Sequence, residues 1–361
     1  MSGGDAGAGR ARGRGAAGNP PGRFQPAAVV PFDDGWGSLD EPAPALETTV
    51  TAEPARTILT PNESPDVPFD RSVNPYKGCE HGCIYCFARP SHAYLDLSPG
   101  LDFESRIFSK PAAPDLLRSE LRRRGYRCEP IALGANTDPY QPVETELRIT
   151  RGILEVLAEH RHPVMVVTKS HRVLRDLDLL QPMAADGLAA VYLSITTLDR
   201  VLARRMEPRA PTPERRLQAV AALASAGVPV GVLASPMIPG LNDHELERIL
   251  EAATRAGART ANTILVRLPH EVKGLFVDWL RTHYPEREKK VLGRIREARG
   301  GRLNDPRFGE RMRGSGPYAA LLGRRFEVAC RRLGLDLERP VLTCSKFRVP
   351  PAASAQPSLF G

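Results

Sequence analysis

From Arg71 onward, short apolar runs alternate with longer stretches in which apolar residues recur every three or four positions. The runs predict strands over 71–75, 130–135, 163–168, 189–195, 228–234 and 262–267. Between them the helical period predicts helices over 114–124, 143–159, 172–186, 213–226 and 243–257. A sixth helix begins after Pro269, where Val272, Leu275, Phe276, Trp279 and Leu280 make one apolar face. Six strand-and-helix units in series predict an α/β domain built on a parallel sheet. Periodicity does not choose between an open doubly wound sheet and an arc of a barrel.

The flanks read differently. Residues 1–57 are rich in Gly, Ala, Arg and Pro and are expected to form a disordered leader, although Phe24, Phe32 and Trp36 offer anchors by which it can dock on the main domain. The α/β domain spans 58–283, a basic helical extension 284–349, and a flexible tail 350–361. The extension carries Arg287, Lys289, Lys290, Arg294, Arg296, Arg299 and Arg302 beside Phe308, Tyr318 and Phe326. Cations and aromatic rings together suit a nucleic-acid face, weighed here against a helical cap with an ordinary charged exterior.

The net charge of +8, from 50 basic and 42 acidic residues, permits a polyanionic partner without demanding one. The sequence has no run of eighteen apolar residues and no contiguous apolar signal core, so a soluble cytoplasmic protein with no membrane partner is expected. Six cysteines, unevenly spaced, do not make a secreted disulfide scaffold.

Three of those six, Cys79, Cys83 and Cys86, lie in NPYKGCEHGCIYCFARP. Three thiolates leave one position of a four-ligand metal centre open, as a catalytic rather than a structural site requires. A zinc site completed by His81, or three unrelated thiols, are the plainer readings of the same residues.

This motif, with Tyr85 and Phe87 around its last cysteine, resembles that of the radical S-adenosylmethionine (radical SAM) enzymes. GANTDPYQPVE, EPRAPTPERRL and PMIPGLND extend the likeness from about Ile58 to the C-terminus, and they resemble a bacterial family of radical SAM proteins related to spore photoproduct lyase, grouped as DNA repair photolyase-like. The resemblance implies a radical SAM partial (β/α)6 TIM barrel, with its site at the C-terminal ends of the strands. It implies that Cys79, Cys83 and Cys86 hold a [4Fe-4S] cluster and that SAM binds the remaining iron.

Further assignments follow from position in that family. Gly134 would allow close cofactor approach, and Asn136, Thr137 and Asp138 would meet the amino group of SAM. Lys169 would bind the SAM carboxylate or a substrate phosphate, and Ser194 and Thr196 the ribose or carboxylate. Glu207 and Arg209 would form an orienting ion pair or touch SAM, and Ile238 would pack on adenine. Asn242 and Asp243 read as a helix cap.

The repair likeness is incomplete, because Ala135 stands where spore photoproduct lyase places its hydrogen-donor cysteine. Tyr140, or Cys344 if the C-terminal segment folds over the barrel, is the candidate catalytic replacement. Gln356-Pro357-Ser358-Leu359-Phe360 resembles the peptide by which bacterial repair proteins bind the sliding clamp. The function expected is a radical SAM enzyme acting on DNA or other nucleic acid, supplied by an external one-electron reductant. Radical modification of a peptide or protein, and a nonenzymatic iron-sulfur or zinc sensor, are the alternatives.

Overall fold

A computed structural model describes residues 13–25, 46–335 and 340–351. Its main sheet has seven strands. Six are parallel: β1 (Arg71–Val73), β2 (Ile131–Leu133), β3 (Val164–Thr168), β4 (Ala189–Ser194), β5 (Val230–Met237) and β6 (Thr260–Leu265). They pair in chain order, and Leu59–Pro61 adds an antiparallel strand on the free edge of β1. β1 and β6 do not pair, so the arc is the partial (β/α)6 barrel expected.

Both faces of these strands are covered, which is why they read as apolar runs. Val73, Leu133, Val164, Val166, Val191, Leu193, Val230 and Val232 point outward into the main core. There they meet α1 (Ala113–Leu121), α2 (Ile149–Glu159), α3 (Leu177–Ala185), α4 (Pro213–Ser225) and α5 (Leu246–Arg255). α6 (Val272–His283) follows β6 and buries the five apolar residues predicted for its face in a second core, under the cysteine loop. Inside the arc, Met165, Ala190 and Tyr192 pack with Phe69, Val167, Leu233 and Leu342.

Several boundaries differ from expectation for local reasons. The helix expected over 143–159 is broken at Arg148, which takes a left-handed conformation, and Glu144 accepts a hydrogen bond from the Thr150 N–H that opens α2 (3.1 Å). The helix at Arg200–Met206 was not anticipated; the Asp199 carboxylate caps it through the Val201 and Leu202 N–H groups (2.7 and 3.1 Å). Its Leu202 and Met206 face the cysteine loop.

Within the leader, residues 13–25 lie against the barrel. Phe24 packs on Tyr94, and Arg23 pairs with Glu271 at 3.0 Å. Thr49–Ala52 joins a small sheet with Arg106–Ser109 and Tyr76–Lys77. The disordered-leader expectation therefore does not describe these stretches; Phe32 and Trp36 lie outside the described residues.

The extension forms α7 (Glu288–Glu297) and α8 (Gly316–Leu333). Much of its charge and aromatic surface is used internally. Arg325 pairs with Glu247 at 2.7 Å, Arg332 pairs with Glu251, the Tyr318 hydroxyl donates to Asp243, and Phe326 packs on the main core. Beyond α8, residues 340–351 run beneath the barrel, where the Thr343 N–H donates to Gly187 O and the Arg348 N–H to His160 O (both 3.0 Å). No helix among the described residues is long and apolar enough to cross a membrane.

Candidate active site at the mouth of the barrel

The cysteine loop leaves the sheet just after β1. It is held from three sides by hydrogen bonds to its backbone, which carries most of its polar groups. The Cys79 N–H donates to Phe103 O (3.0 Å) and the Ile84 N–H to Met206 O (3.0 Å). From the β2 loop, the Thr137 hydroxyl donates to Gly78 O (2.7 Å), and Gln141 Oε1 accepts the Glu80 N–H (2.9 Å). Arg89, wholly buried, donates Nε to Cys83 O (2.8 Å) and Nη2 to Gly82 O (3.1 Å).

The leader covers the outer side. Glu104 pairs with Arg89 and accepts the N–H groups of Gly15 and Ala16 (both 2.8 Å). Ala16 is buried with Cys83, Ile84 and Tyr85. Gly15 and Gly82 meet backbone to backbone: a Cβ at Gly15 would lie 1.9 Å from Gly82 O, and Gly82 itself has φ +66°.

All three thiols are free; Cys79 and Cys83 are buried and Cys86 is half-exposed. Burial pushes the Cys79 thiol well above its ordinary range, with Asp138 and the other two cysteines adding to the effect. Burial raises Cys83 to about 12 against the opposing pull of Lys169. Such thiols ionise when a bound cation offsets the burial.

Around them stand two buried carboxylates that remain ionised. Asp138 accepts the Thr168 hydroxyl (2.6 Å), the Lys169 N–H (2.8 Å) and the Tyr140 N–H (2.9 Å), and lies 3.3 Å from His81 Nδ1. Burial alone would raise its pKa, but His81 and these donors hold it at about 2. Glu207 accepts the Thr196 hydroxyl (2.6 Å), the Tyr85 hydroxyl and Arg216 Nη2. There too burial acts upward, and Arg216 and Lys169 bring the value to about 2. Lys169 Nζ reaches Ser194 Oγ (3.3 Å) and lies 5.8 Å from the Tyr85 ring. Burial works against its charge, yet Cys83 and Glu207 raise its pKa.

Thr137, Asp138, Lys169, Ser194, Thr196 and Glu207 thus gather on and around the cysteine loop, while Asn136 is exposed at the mouth, its N–H donating to Asn74 Oδ1 (2.7 Å). One expected pairing is corrected, and other expected residues are placed. Gly134 has φ +92°, and the space of its missing Cβ is taken by Pro139 Cδ (2.5 Å) and Val167 O (2.6 Å), so the turn itself requires glycine. Arg209 does not pair with Glu207; it reaches Glu80 (3.1 Å) on the outer side of the loop, and Arg216 from α4 takes its place. Ile238 is wholly buried with Ile84, Tyr85 and Met206. Asn242 accepts the Ile238 N–H (2.6 Å) and donates to Thr196 O (2.7 Å), tying two strand ends together.

Neither candidate hydrogen donor reaches the mouth. Tyr140 is wholly buried in the main core, and its hydroxyl donates to Asp176 (2.9 Å) in a network with Arg175 and Glu144. Cys344 lies at the other end of the barrel beside Cys128, because residues 340–351 run under the strands instead of over them. Arg89, Glu104 and Arg216 are the residues that sequence reasoning missed. Only the RP pair after Cys86 and the doubled arginine of EPRAPTPERRL marked two of them, since their partners are distant in the chain.

The family model of the radical SAM superfamily matches residues 73–253. A Mycobacterium tuberculosis protein described as uncharacterized is 37% identical over 250 residues, covering 68% of this chain and 72% of that one. An uncharacterized protein of Methanocaldococcus jannaschii is 29% identical over 191 residues, covering 53% and 68%. Among solved structures, spore photoproduct lyase complexed with dinucleoside spore photoproduct aligns over 79% of each chain, with a TM-score of 0.58 and 16% identity. A variant of that lyase with bound AdoMet and dinucleoside spore photoproduct aligns with a TM-score of 0.55 over 79% of this chain and 78% of that one, at 16% identity. At such identities the likeness establishes the fold.

Proposed function

The chain belongs to the radical SAM superfamily, and on that premise we propose that Cys79, Cys83 and Cys86 hold a [4Fe-4S] cluster at which S-adenosylmethionine is cleaved to act on nucleic acid, in DNA repair or base modification. The observation that carries the reading is the placement of three free thiols on one braced loop above the C-terminal strand ends, beside carboxylates kept ionised by buried cations. Bound there, a cluster with SAM supplies a low-potential electron and a 5'-deoxyadenosyl radical able to take hydrogen from carbon.

The chain's own part is to position and shield. Lys169, on the inner wall with Ser194, supplies a cation for the SAM carboxylate. Glu207 fixes the Tyr85 ring against the loop, and Asp138 fixes His81 and the start of the segment after β3. Leader residues 13–20 and Arg89 close the outer side against water.

Nucleic acid as substrate is supported by the dinucleoside ligand of the lyase with this fold and by the basic chain. Ala135 in the donor-cysteine position, with Tyr140 and Cys344 turned away, points to a reaction other than reversal of spore photoproduct. The clamp-like peptide Gln356–Phe360 lies outside the described residues; as a recruitment element it would follow a segment at the barrel end opposite the mouth. The test is mass spectrometry of 5'-deoxyadenosine from anaerobically reconstituted, reduced protein with SAM, with and without ultraviolet-damaged duplex DNA. DNA-stimulated formation is expected. Formation indifferent to DNA would move the substrate to a peptide or protein, and none from cluster-loaded protein would sink the radical assignment.

A further inference from the structure

The lateral gap between β1 and β6 is spanned by side chains. From the loop joining Leu59–Pro61 to β1, Asp66 accepts the Gly309 N–H (2.7 Å) and pairs with Arg311, which also reaches Ser64. Beside this bridge, just past β6, lies Arg267. Its guanidinium sits 5.6 Å from the Phe87 ring, and among the described residues Nη1 meets Met312 Sδ alone, at 3.6 Å. Its Nε is buried without a partner, and no carboxylate among the described residues is within ion-pair distance. Burial first, and repulsion from Arg311 second, depress its pKa.

Arg299 adds to the same field. It is held in place by Leu265 O (3.0 Å), Val266 O (2.8 Å) and Glu310 O (2.9 Å), and its Nε is also buried without a partner. Three guanidinium groups therefore meet; Arg299 has Asp305 and Glu310 in its field, while the carboxylate nearest Arg267, Asp66, is already committed to Arg311. A single aromatic contact does not compensate a half-buried, unpaired cation facing another cation. An anion at Arg267 does. Two exposed rings flank the position: Phe87, next in sequence to Cys86, is 50% exposed, and Phe308, 4.5 Å from the Arg311 guanidinium, is 60% exposed.

We infer that Arg267, with Arg311 beside it, receives a backbone phosphate of a single nucleic-acid strand, and that Phe87 stacks an adjacent base at the edge of the reactive mouth. This rests on the nucleic-acid reading above and names the residues that would carry it. A phosphate fits because its charge meets the unpaired Arg267, beside an Arg311 that Asp66 and Ser64 hold in place. An extruded or single-stranded nucleotide fits because a stacked base needs an open ring face, which a paired duplex does not offer.

The test uses reconstituted full-length protein and a short fluorescein-labelled, thymine-rich single strand, with anisotropy followed across salt concentration. Iron and sulfide content, together with the electron paramagnetic resonance change on adding SAM, check that each variant keeps its cluster. Arg267→Gln is expected to weaken binding roughly tenfold and to lower the salt slope by about 1. Phe87→Ala is expected to weaken it roughly fivefold or more with the slope unchanged. If the wild type binds and both variants bind equally well with the same slope, this site is wrong and the nucleic-acid reading survives. If the wild type binds no strand, the nucleic-acid reading falls and takes this site with it. Should Arg267→Gln lose its cluster, Phe87→Ala with an intact cluster decides alone.

Discussion

The two ends of the barrel differ in the charge they bury, although burial raises the Cys79 and Cys83 thiols at the mouth as well. At the mouth, Asp138 and Glu207 are held charged at pKa values of about 2, and Lys169 and Arg216 are shifted upward, so that cations and anions face one another. At the far end, burial keeps groups neutral. Cys128 rises to about 12 beside Cys344, Tyr126 rises to about 12, and His162 falls to about 4. Buried charge is costly and persists where a fixed electrostatic environment serves a purpose, whereas neutral polar pairs suffice to close a barrel. The contrast agrees with the proposed division, chemistry at one end and closure at the other.

The largest effect that would break this contrast is at the thiols. Cys83→Ala is expected to lose bound iron and to drop 5'-deoxyadenosine below detection, and a variant that retained both would remove the mouth from the chemistry. Next comes Glu207→Gln, which leaves Arg216 buried without its counter-charge, at 2% exposure. The expected cost is about 3–5 kcal/mol, read as a fall in denaturant midpoint with the m-value unchanged.

At the far end the sign is set by His162. Its folded pKa of about 4 lies below the unfolded value of about 6.5. The unfolded state therefore binds the extra proton, and stability present above pH 6.5 is lost as pH falls toward 4. The loss is about 2–3 kcal/mol at most. Groups facing the ring are the Tyr126 hydroxyl, donating to Nε2 (2.8 Å), Pro163 O (3.0 Å from Nδ1) and Phe347, with Arg71 and His160 as charged or titrating neighbours. Unfolding curves between pH 7 and 4.5 check this. His162→Gln should flatten the acid limb, and identical limbs would show that other groups govern it. The smallest effect is expected from Cys344→Ala: less than about a twofold change in 5'-deoxyadenosine formation, at a cost near 1 kcal/mol from the lost packing. A tenfold loss would merge the two ends into one site.

The strands were legible because a parallel sheet buries both faces, so VMVVT in β3 and AAVYLS in β4 have no other comfortable setting. The cysteines and Asp138 were legible because their motifs are local. What escaped was whatever depends on a partner far along the chain. Nothing near Tyr140 shows that its hydroxyl turns to Asp176, and nothing near Cys344 shows that the chain passes beneath the strands. The swap of Arg209 for Arg216 is of the same kind: both arginines follow Glu207 closely, and only the start of α4 at Pro213 aims the second one inward.

The meeting of the leader with the cysteine loop has a consequence for descent. Gly15, Gly82 and Glu104 form one contact, and of the three only Gly15 depends on the other two, since Glu104 also balances Arg89 and Gly82 has a positive φ. Lineages of this family that keep Gly15 should therefore keep Gly82 and Glu104 with it. Those that shed the amino-terminal stretch should be free to lose Gly15's contact alone, because Glu104 must still balance the buried Arg89 and Gly82 still needs its positive φ.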